Sequence, residues 1–505
     1  MNFIKTGLLL TAFLISAFFI GAVNRVVILH SNDTHSIIDP YFENNLGGVA
    51  RRKALIDSVR KSEPNVLLVD AGDVLQGSVY FTLFEGEVEQ CAMNELGYDV
   101  QILGNHEFDN GMTKLYDYVS GLNADVISSN YDLSETELST KVKPYVVKSV
   151  GDKRIGFIGI NIEPKGLIDS VKCVGVKYLD AIKAANSMAW YLKNIAKVDA
   201  VVSLTHIGYD ETGAMSDIKL AQETENIDVI IGGHSHTLID PNSKKSRPHM
   251  YANLSGEPVL VAQTGKYGAN VGEVVIDFTN DNVTSKIISV TSRFDNQLDE
   301  VIIDKIKPYK APVDSMFSIK VGMATESFDR KVSLLNWMAD FVKKDAERLT
   351  EQKIDLSLVN VGGIRSAWEK GAITKGAIMQ SFPFDNYEVV LEISGEHLMA
   401  TLDSIAAHGG NGVSGNVQAL INPGSRKCES VTINGKSIDP KRIYRVATIN
   451  YLANGNDHMD GLSRGVVIAR SDNYLYNDII NAFERGWLKG KKQNPDKKVR
   501  MKRVD

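Results

Sequence analysis

A repeated alternation of short apolar runs and polar loop motifs is the feature that most constrains this chain. Each run has the length of a strand, is rich in Val, Ile and Leu, and ends directly in a motif containing Asp, Asn or His. The clearest runs span residues 26–30, 65–69, 99–103, 199–204 and 228–231. Because apolar and polar residues do not alternate within them, we predict strands buried on both faces, with helices covering the sheets.

Side chains of the types that bind metals follow these five runs. They are Asp33, His35, Asp73, Asn105, His206, His234 and His236. In α/β architectures, the carboxyl ends of the strands form the edge where ligands bind. Imidazole with carboxylate and amide oxygen suits transition ions such as Zn, Mn or Fe. Seven ligands are too many for one tetrahedral zinc and fit two ions that share a bridging carboxylate, a clamp used in phosphoryl transfer.

Each of these motifs also has a simpler interpretation when it is taken alone. The Gly-Gly-His-Ser-His segment at 232–236 is compatible with a turn that carries surface histidines. Asp-x-His is common in helix caps and turns. The occurrence of five such motifs at five strand ends favours a metal site over coincidence.

Composition excludes several classes of protein. The formal net charge is −6, from 56 Lys plus Arg and 62 Asp plus Glu, which argues against binding of a nucleic acid polymer. The cysteines at 91, 173 and 428 are too few and too far apart for a disulfide scaffold or a CxxC metal site. A length of 505 residues is enough for about two to four domains.

The first residues have the pattern of a secretory signal. Lys5 precedes an apolar run at 8–20, and small residues follow it. The run is short for a membrane-spanning helix, which needs about 20 residues. We therefore predict a signal peptide at 1–22 and a secreted or periplasmic protein without stable membrane insertion after signal removal. A retained N-terminal anchor is the alternative.

A change of pattern divides the mature chain. Residues 23–294 contain the metal motifs and are predicted to form one domain. Residues 295–320 form a charged amphipathic stretch, interpreted as an interdomain linker and hinge. Residues 321–505 form a second α/β unit, with a helix predicted near 333–349 and strands at 355–359 and 387–393.

The metal motifs, in their order along the chain, resemble the signature of calcineurin-like metallophosphoesterases. The longer segments at 29–35 (Leu-His-Ser-Asn-Asp-Thr-His) and 104–109 (Gly-Asn-His-Glu-Phe-Asp) resemble the secreted 5′-nucleotidase / UDP-sugar hydrolase family. The resemblance covers essentially all of the mature chain. It implies an α/β (α+β) protein with an N-terminal two-sheet αββα metallophosphoesterase sandwich and a C-terminal α/β nucleotide-binding domain.

The resemblance also implies roles for the metal motifs, with two divalent ions, Zn, Mn or similar, as cofactors. The first ion would be held by Asp33, His35 and His236, the second by Asn105, His206 and His234, with Asp73 as the bridge. His106 would instead form a catalytic dyad with Asp109, which orients the imidazole toward the phosphoryl group or the leaving oxygen. A structural loop histidine is the alternative for His106.

Three loops of the second unit, at 360–365, 381–386 and 450–457, combine glycine, arginine, aromatic and carboxylate residues. An aromatic in a proline-containing loop is, by itself, more often part of the core than a ligand platform. The resemblance implies that they form the nucleotide site, with a glycine-rich segment near Gly415 beside the base. The implied substrate-binding residues are Asn360, Arg365 at the phosphate, Phe384 and Tyr451 stacked on the base, Asn386 at the base and Asp457 at the ribose.

Taken together, these features predict hydrolysis of nucleoside 5′-monophosphates to nucleoside and phosphate by a two-metal-activated water. Tyr451 stands where the family usually has Phe, Asn456 replaces a Gly, and Val361 replaces another Gly. The substrate alternatives are therefore a 2′,3′-cyclic-nucleotide 2′-phosphodiesterase/3′-nucleotidase or a UDP-sugar hydrolase. A nucleotide-binding scavenger is the non-enzyme alternative, which the complete ligand set disfavours. The only predicted partner is a small-molecule nucleotide; oligomeric state, native metal and base preference stay open.

Overall fold

A computed structural model of the protein describes residues 23–41, 43–210, 215–409 and 411–504. The predicted signal peptide, residues 1–22, lies outside the described residues. Within those ranges, no helix is both long and apolar enough to cross a bilayer.

The N-terminal part of the chain alternates strands and helices as the apolar runs predict. Its strands are β1 (Arg25–Ser31), β2 (Val66–Asp70), β3 (Val100–Ile102), β4 (Asp125–Ile127), β5 (Tyr131–Asp132), β6 (Val142–Lys143), β7 (Tyr145–Val150), β8 (Lys153–Asn161), β9 (Lys177–Tyr178), β10 (Ala200–His206), β11 (Val229–Ile231), β12 (Met250–Ala252), β13 (Pro258–Ala262), β14 (Asn270–Asp277) and β15 (Asn282–Ser289). Its helices are α1 (Val49–Ser62), α2 (Val79–Phe84), α3 (Glu87–Leu96), α4 (Gly111–Ser120), α5 (Ala181–Asn194) and α6 (Asp217–Glu223).

Two sheets pack face to face in this part. One has the strand order β15-β14-β1-β2-β3-β4-β6 and the other the order β12-β13-β11-β10-β8-β7. Ile28 and Val69 of the first sheet share a buried cluster with Phe157 and Leu204 of the second. Helices α1 and α3 cover the outer face of the first sheet, and α5 and α6 cover the second. The predicted αββα sandwich is confirmed.

The strand directions place the polar motifs together. Strands β1, β2 and β3 are parallel, and so are β8, β10, β11 and β13. The carboxyl ends of parallel strands lie at the same edge of a sheet. The loops that follow β1, β2, β3, β10 and β11 therefore converge on one end of the sandwich.

A long helix connects the two parts of the chain. Helix α7 (Glu300–Ser318) buries Ile302, Ile306 and Val313 and packs against α2 and α3. The predicted linker is thus mostly a helix, which continues through Pro308 and Pro312. Its hydrophobic face belongs to the same core cluster as the outer face of the first sheet and the C-terminal part.

The C-terminal part is a mixed α/β unit. Its strands are β16 (Lys320–Ala324), β17 (Leu356–Asn360), β18 (Gly371–Thr374), β19 (Glu388–Ser394), β20 (Asn411–Val413), β21 (Val417–Asn422), β22 (Lys427–Ile433), β23 (Lys436–Ser437), β24 (Ile443–Ile449), β25 (Val466–Arg470), β26 (Lys492–Gln493) and β27 (Met501–Arg503). Its helices are α8 (Ser333–Thr350), α9 (Lys375–Ser381), α10 (Gly395–His408), α11 (Asn450–Ala453) and α12 (Leu475–Glu484).

The main C-terminal sheet has the order β20-β17-β24-β19-β25. Smaller sheets, β18-β16-β26 and β23-β22-β21-β27, flank it, and α9 packs against α7. The segments that follow β17 and α9 begin at Val361 and Phe382, and β24 leads directly into α11 at Asn450. They carry the predicted nucleotide motifs and face the motif-bearing end of the sandwich, as the contacts below show.

Candidate active site

The first group of predicted ligands assembles where β1 and β11 end. Nε2 of His236 lies 3.4 Å from Oδ1 of Asp33 and 2.9 Å from Nε2 of His35. One ligand atom from each of these three residues lies within 4.8 Å of the others. This spacing is what a single ion between the three side chains requires.

The second group assembles where β2, β3, β10 and β11 end. Nε2 of His206 lies 3.1 Å from Oδ2 of Asp73, and Nδ1 of His234 lies 2.9 Å from Oδ1 of Asn105. Oδ2 of Asp73 is also 3.9 Å from Nε2 of His35 in the first group. The carboxylate of Asp73 therefore lies between the two groups, at the position expected of a shared ligand.

The histidine orientations fit metal ions. Nδ1 of His206 and Nδ1 of His35 lie 2.7 Å and 3.1 Å from backbone carbonyl oxygens and donate to them, which leaves each Nε2 as the ring nitrogen that faces the cluster. Nε2 of His206 is buried and faces Oδ2 of Asp73 at 3.1 Å. Burial lowers the pKa of His234 to about 3 and that of His236 to about 2, so both rings are neutral and able to coordinate.

The cluster also attracts positive charge. Burial lowers the pKa of His206, but the carboxylates of Asp73 and Asp33 outweigh it and raise that pKa to about 10. A buried proton is thus favoured beside Asp73, where a metal cation would gain the same attraction. The donor set and its charge both fit divalent ions.

The ligand loops hold an uncommon backbone conformation. Five predicted ligands have φ in the left-handed region: Asp33 (50°), His35 (48°), Asp73 (56°), His234 (77°) and His236 (56°). Such residues cluster at functional sites, where the surrounding structure holds them. Position 104 requires glycine because of close packing, since a Cβ there would lie 2.2 Å from Oδ1 of Asp73.

One buried carboxylate positions these loops without contacting the ligand atoms. Glu107 accepts the backbone N–H of Asp73 at 3.0 Å and that of Val74 at 2.7 Å. It also accepts the N–H of Gly104. Glu107 lies within the 104–109 motif, but the motif does not show which loop the side chain faces, so this role is not evident from the sequence alone.

The predicted dyad is present beside the second ligand group. Nδ1 of His106 lies 2.8 Å from Oδ2 of Asp109 and donates to it. Nη2 of Arg365, from the C-terminal part, donates to Nε2 of His106 at 3.2 Å. Burial lowers the pKa of His106, but Asp109 and Asp73 raise it above its ordinary value. The arginine predicted to bind phosphate and the dyad therefore meet across the two parts of the chain.

A cleft of about 230 Å³ lies between the two parts. Its lining includes the predicted substrate residues Asn360, Arg365, Phe384, Asn386, Tyr451 and Asp457, together with Asp73, Asn105, His106, Asp109, His234 and His236. The ring centroid of Phe384 is 5.8 Å from that of His106. The structure thus brings the predicted nucleotide residues and most of the metal cluster around one cavity.

Within the cleft, the predicted ribose carboxylate already has polar partners. Nδ2 of Asn360 donates to Oδ2 of Asp457 at 2.5 Å, and the hydroxyl of Tyr451 shares its one proton between Oδ1 of Asp457 at 3.2 Å and the carbonyl of Leu167 at 3.0 Å. The side chain of Asp457 is therefore held in the cleft. Gly415 lies elsewhere, with its N–H on Asp340 at 2.7 Å, so the expectation that it borders the base pocket is wrong.

A segment of the N-terminal part, residues 166–172, forms a further wall of the cleft. The sequence patterns do not predict this role. The carbonyl of Leu167 accepts the hydroxyl of Tyr451 at 3.0 Å. Oδ2 of Asp169 accepts Nδ2 of Asn454 at 2.9 Å. Lys172 also lines the cavity. The segment contains no recognisable motif, so only the tertiary structure reveals it.

Comparison with known proteins agrees with this architecture. A family model described as "Calcineurin-like phosphoesterase" matches residues 26–238, and one described as "5'-nucleotidase, C-terminal domain" matches residues 313–464. The chain belongs to the family of phosphoesterases that combines these two domains. Members of the metallophosphoesterase family use divalent metal ions, and the two ligand groups are candidate sites for them.

Individual relatives extend over most of the chain. The chain is 28% identical over 95% of its length to the trifunctional nucleotide phosphoesterase protein YfkN of Bacillus subtilis, but it spans only 35% of that protein. It is 27% identical to human 5′-nucleotidase, over 86% of this chain and 83% of the human protein. The crystal structure of a 5′-nucleotidase precursor from Thermus thermophilus superimposes with a TM-score of 0.84 at 28% identity, covering 95% of this chain and 99% of the other. By family and fold, the protein is a phosphoric monoester hydrolase.

Proposed function

We propose that the protein hydrolyses nucleoside 5′-monophosphates to nucleoside and phosphate. The observation that carries this proposal is the contact between Arg365 and His106 at 3.2 Å, because it joins the nucleotide loops to the dyad beside the metal cluster. The 5′-nucleotidases among the relatives support the substrate class.

In this proposal, the ligand groups hold two divalent ions, whose chemistry would be Lewis-acid activation of water and stabilisation of negative charge on phosphate oxygens. Asp33, His35 and His236 would form one site, Asn105, His206 and His234 the other, with Asp73 shared. Nδ1–H of His106 stays on Asp109, which fixes the ring so that Nε2 faces the phosphoryl group or the leaving oxygen.

The C-terminal side chains would bind and orient the nucleotide. The guanidinium of Arg365 carries a fixed positive charge suited to the phosphate. Phe384 and Tyr451 would stack on the base, and Asp457 would accept hydrogen bonds from the ribose hydroxyls. Asn386, which lines the same cavity, would contact the base.

Substrate entry requires the cleft to open. Its volume of about 230 Å³ is below the roughly 300–1,000 Å³ typical of small-molecule pockets. Arg365 also lies directly against Nε2 of His106, the ring nitrogen proposed to face the phosphoryl group. We expect the C-terminal part to move relative to the sandwich during turnover, with helix α7 and its flanks as the hinge.

A panel of phosphate esters tests the substrate assignment. Release of phosphate is measured from 5′-AMP, 3′-AMP, cyclic 2′,3′-AMP and UDP-glucose, each with added Mn, Zn or Co. The proposal requires 5′-AMP to have the highest kcat/KM. It would be wrong if any of the other three esters had the higher kcat/KM.

The second candidate is a 2′,3′-cyclic-nucleotide 2′-phosphodiesterase/3′-nucleotidase. Tyr451 favours it, because a tyrosine at this stacking position, in place of the usual Phe, resembles that branch of the family. The same panel separates the two, since a 3′-nucleotidase would prefer 3′-AMP and the cyclic ester.

Export of the protein is also proposed, from the pattern of residues 1–22 alone. N-terminal sequencing of protein recovered from the cell exterior or periplasm would test whether the chain begins near residue 23.

A further inference from the structure

A second group of acidic side chains lies in the C-terminal part, outside the cleft. Asp345 of helix α8, Glu388 at the start of β19 and Asp478 of helix α12 each offer a carboxylate oxygen, and these atoms lie within 4.8 Å of one another. The three residues come from elements far apart in sequence. Their convergence is therefore a product of the tertiary fold.

Glu388 is the unusual member of this carboxylate cluster. Only 1% of its surface is exposed. Among the described residues, neither of its carboxylate oxygens has a hydrogen-bond partner. A buried carboxylate without partners is costly, so a group that satisfies it is expected at this position.

The other two carboxylates are only partly satisfied, and by neutral donors. Nε1 of Trp487 donates to Asp345 at 2.9 Å. Ser471 and Asn473 donate to Asp478 at 2.5 Å and 2.9 Å. These contacts hold the side chains in place but bring no positive charge to the cluster.

Among the described residues, no lysine, arginine or histidine forms an ion pair with Asp345, Glu388 or Asp478. Arg348 attracts Asp345 without an ion pair between them in the described ranges. Three converging carboxylates therefore lack a counter-charge from the described side chains.

We propose that Asp345, Glu388 and Asp478 form a structural Ca²⁺ site. The donors are all carboxylate oxygens, the ligands that hard cations prefer, and the cluster contains no imidazole or thiolate that would favour zinc. Ca²⁺ takes about six to eight oxygens in flexible geometry, which three carboxylates and water can supply. Mg²⁺ demands stricter octahedral geometry.

The position of the site links it to the nucleotide loop. Glu388 follows Asn386 by two residues, and the carbonyl of Asn386 accepts the N–H of Leu475 at 2.7 Å, at the start of α12. A cation would tie α8, β19 and α12 together beneath the loop that carries Phe384. Its effect on substrate affinity rests on the proposed function, whereas Ca²⁺ binding itself does not.

Thermal unfolding of the full chain tests the site. Tm is measured with saturating Mn²⁺ present throughout, so that the proposed active site stays supplied, while CaCl₂ is raised to about 5 mM, above the affinity range of extracellular calcium modules. We expect Ca²⁺ to raise the Tm of the wild type by about 3 °C or more. The Glu388→Gln variant, which keeps the shape and removes the charge, should lose this rise.

A matched variant and a second substitution complete the test. Glu392→Gln alters an acid on the same strand that is paired with Arg445, and it should keep the full Ca²⁺ response. Asp478→Asn should lose the response as Glu388→Gln does, and it replaces that variant if Glu388→Gln does not fold. In the wild type, Ca²⁺ should also lower the KM for 5′-AMP severalfold.

Several outcomes would overturn the calcium site. The wild-type Tm could be insensitive to Ca²⁺ while Glu388→Gln melts higher at every concentration, which would indicate carboxylates that share protons. A full Ca²⁺ response in Glu388→Gln would place binding elsewhere, and a rise with Mg²⁺ alone would contradict the choice of ion. Failure to hydrolyse 5′-AMP would contradict the proposed function and leave the Tm result untouched.

Discussion

The metal cluster and the nucleotide cleft are built in different ways. The candidate metal ligands sit at the ends of parallel strands or in the short loops directly after them, and Asp33, His35 and His206 are fully buried. The candidate nucleotide residues sit at the ends of C-terminal strands and helices or in the loops between them, and Tyr451 is only partly buried. The sandwich alone orders the first site, whereas the second exists only where the two parts meet.

This difference has a consequence for how each site responds to change. A ligand in the cluster is fixed by backbone hydrogen bonds, as with the N–H of His106 on Oδ1 of Asp73 at 2.9 Å. Replacing such a ligand should therefore abolish catalysis while the protein stays folded. A residue of the cleft is held by single contacts across the interface, such as Tyr451 on Leu167, so its replacement should alter affinity first.

The largest expected effect is at the shared carboxylate. Asp73→Asn should lower kcat by about 10³-fold or more, because the amide cannot supply the negative charge between the two ligand groups. Steady-state hydrolysis of 5′-AMP and circular dichroism of the variant measure this. Asp57→Asn, a carboxylate on helix α1 paired with Lys53, is the matched control and should retain wild-type kcat. Unchanged turnover in Asp73→Asn would contradict a shared metal ligand.

The dyad should show the next largest effect and a graded pattern. His106→Asn should lower kcat by about 10²–10⁴-fold, the range for loss of a proton-transfer or charge-stabilising group. Asp109→Asn should lower it by only about 10–100-fold, because Asp109 orients the ring without touching the substrate. Metal content, measured by mass spectrometry, should stay normal in both variants. Equal losses, or loss of metal, would place His106 among the ligands.

Tyr451 tests the cleft side of the comparison. Tyr451→Ala should raise the KM for 5′-AMP by about 5–150-fold, which corresponds to the roughly 1–3 kcal/mol of base stacking on an aromatic ring. Tyr451→Phe keeps the ring and loses only the hydroxyl contacts with Leu167 and Asp457, so its KM should change far less. Similar KM values for the two variants would mean that the ring does not stack on the base.

The smallest expected effect concerns stability and pH at the cleft loop. Burial raises the pKa of Asp385 from 3.8 to about 6, although Lys172 opposes the shift. The folded state therefore favours the neutral carboxyl, and this stabilisation is complete below about pH 4 and lost as the pH rises through 6.

Asp385→Asn isolates this effect. Relative to the variant, the wild type should lose about 1–2 kcal/mol of unfolding free energy between pH 4 and pH 7. Urea unfolding of both proteins across this range, at constant metal concentration, measures the difference. A difference between the proteins that does not vary with pH would show that Asp385 titrates normally in the fold.

Much of the fold could be predicted because its information is local. The apolar runs at 26–30 and 228–231 became β1 and β11, since a continuous apolar strand has few alternatives to burial in a sheet. The expectation for Gly415 failed because a glycine-rich segment does not reveal which surface it faces. The amphipathic pattern at 295–320 predicts an interdomain linker, but it does not show that most of this stretch forms helix α7, whose apolar side packs into the core.

The sequence by itself determined the fold class, the ligand types and their order, because strand-length apolar runs ending in Asp, Asn and His leave little freedom in where those side chains go. Only the tertiary structure decided which of them share a position. It placed Asp73 between the ligand groups, set Arg365 against His106, closed the cleft with residues 166–172 and gathered Asp345, Glu388 and Asp478. These contacts join segments far apart in the chain, and their pairing depends on the packing of whole elements rather than on any local pattern.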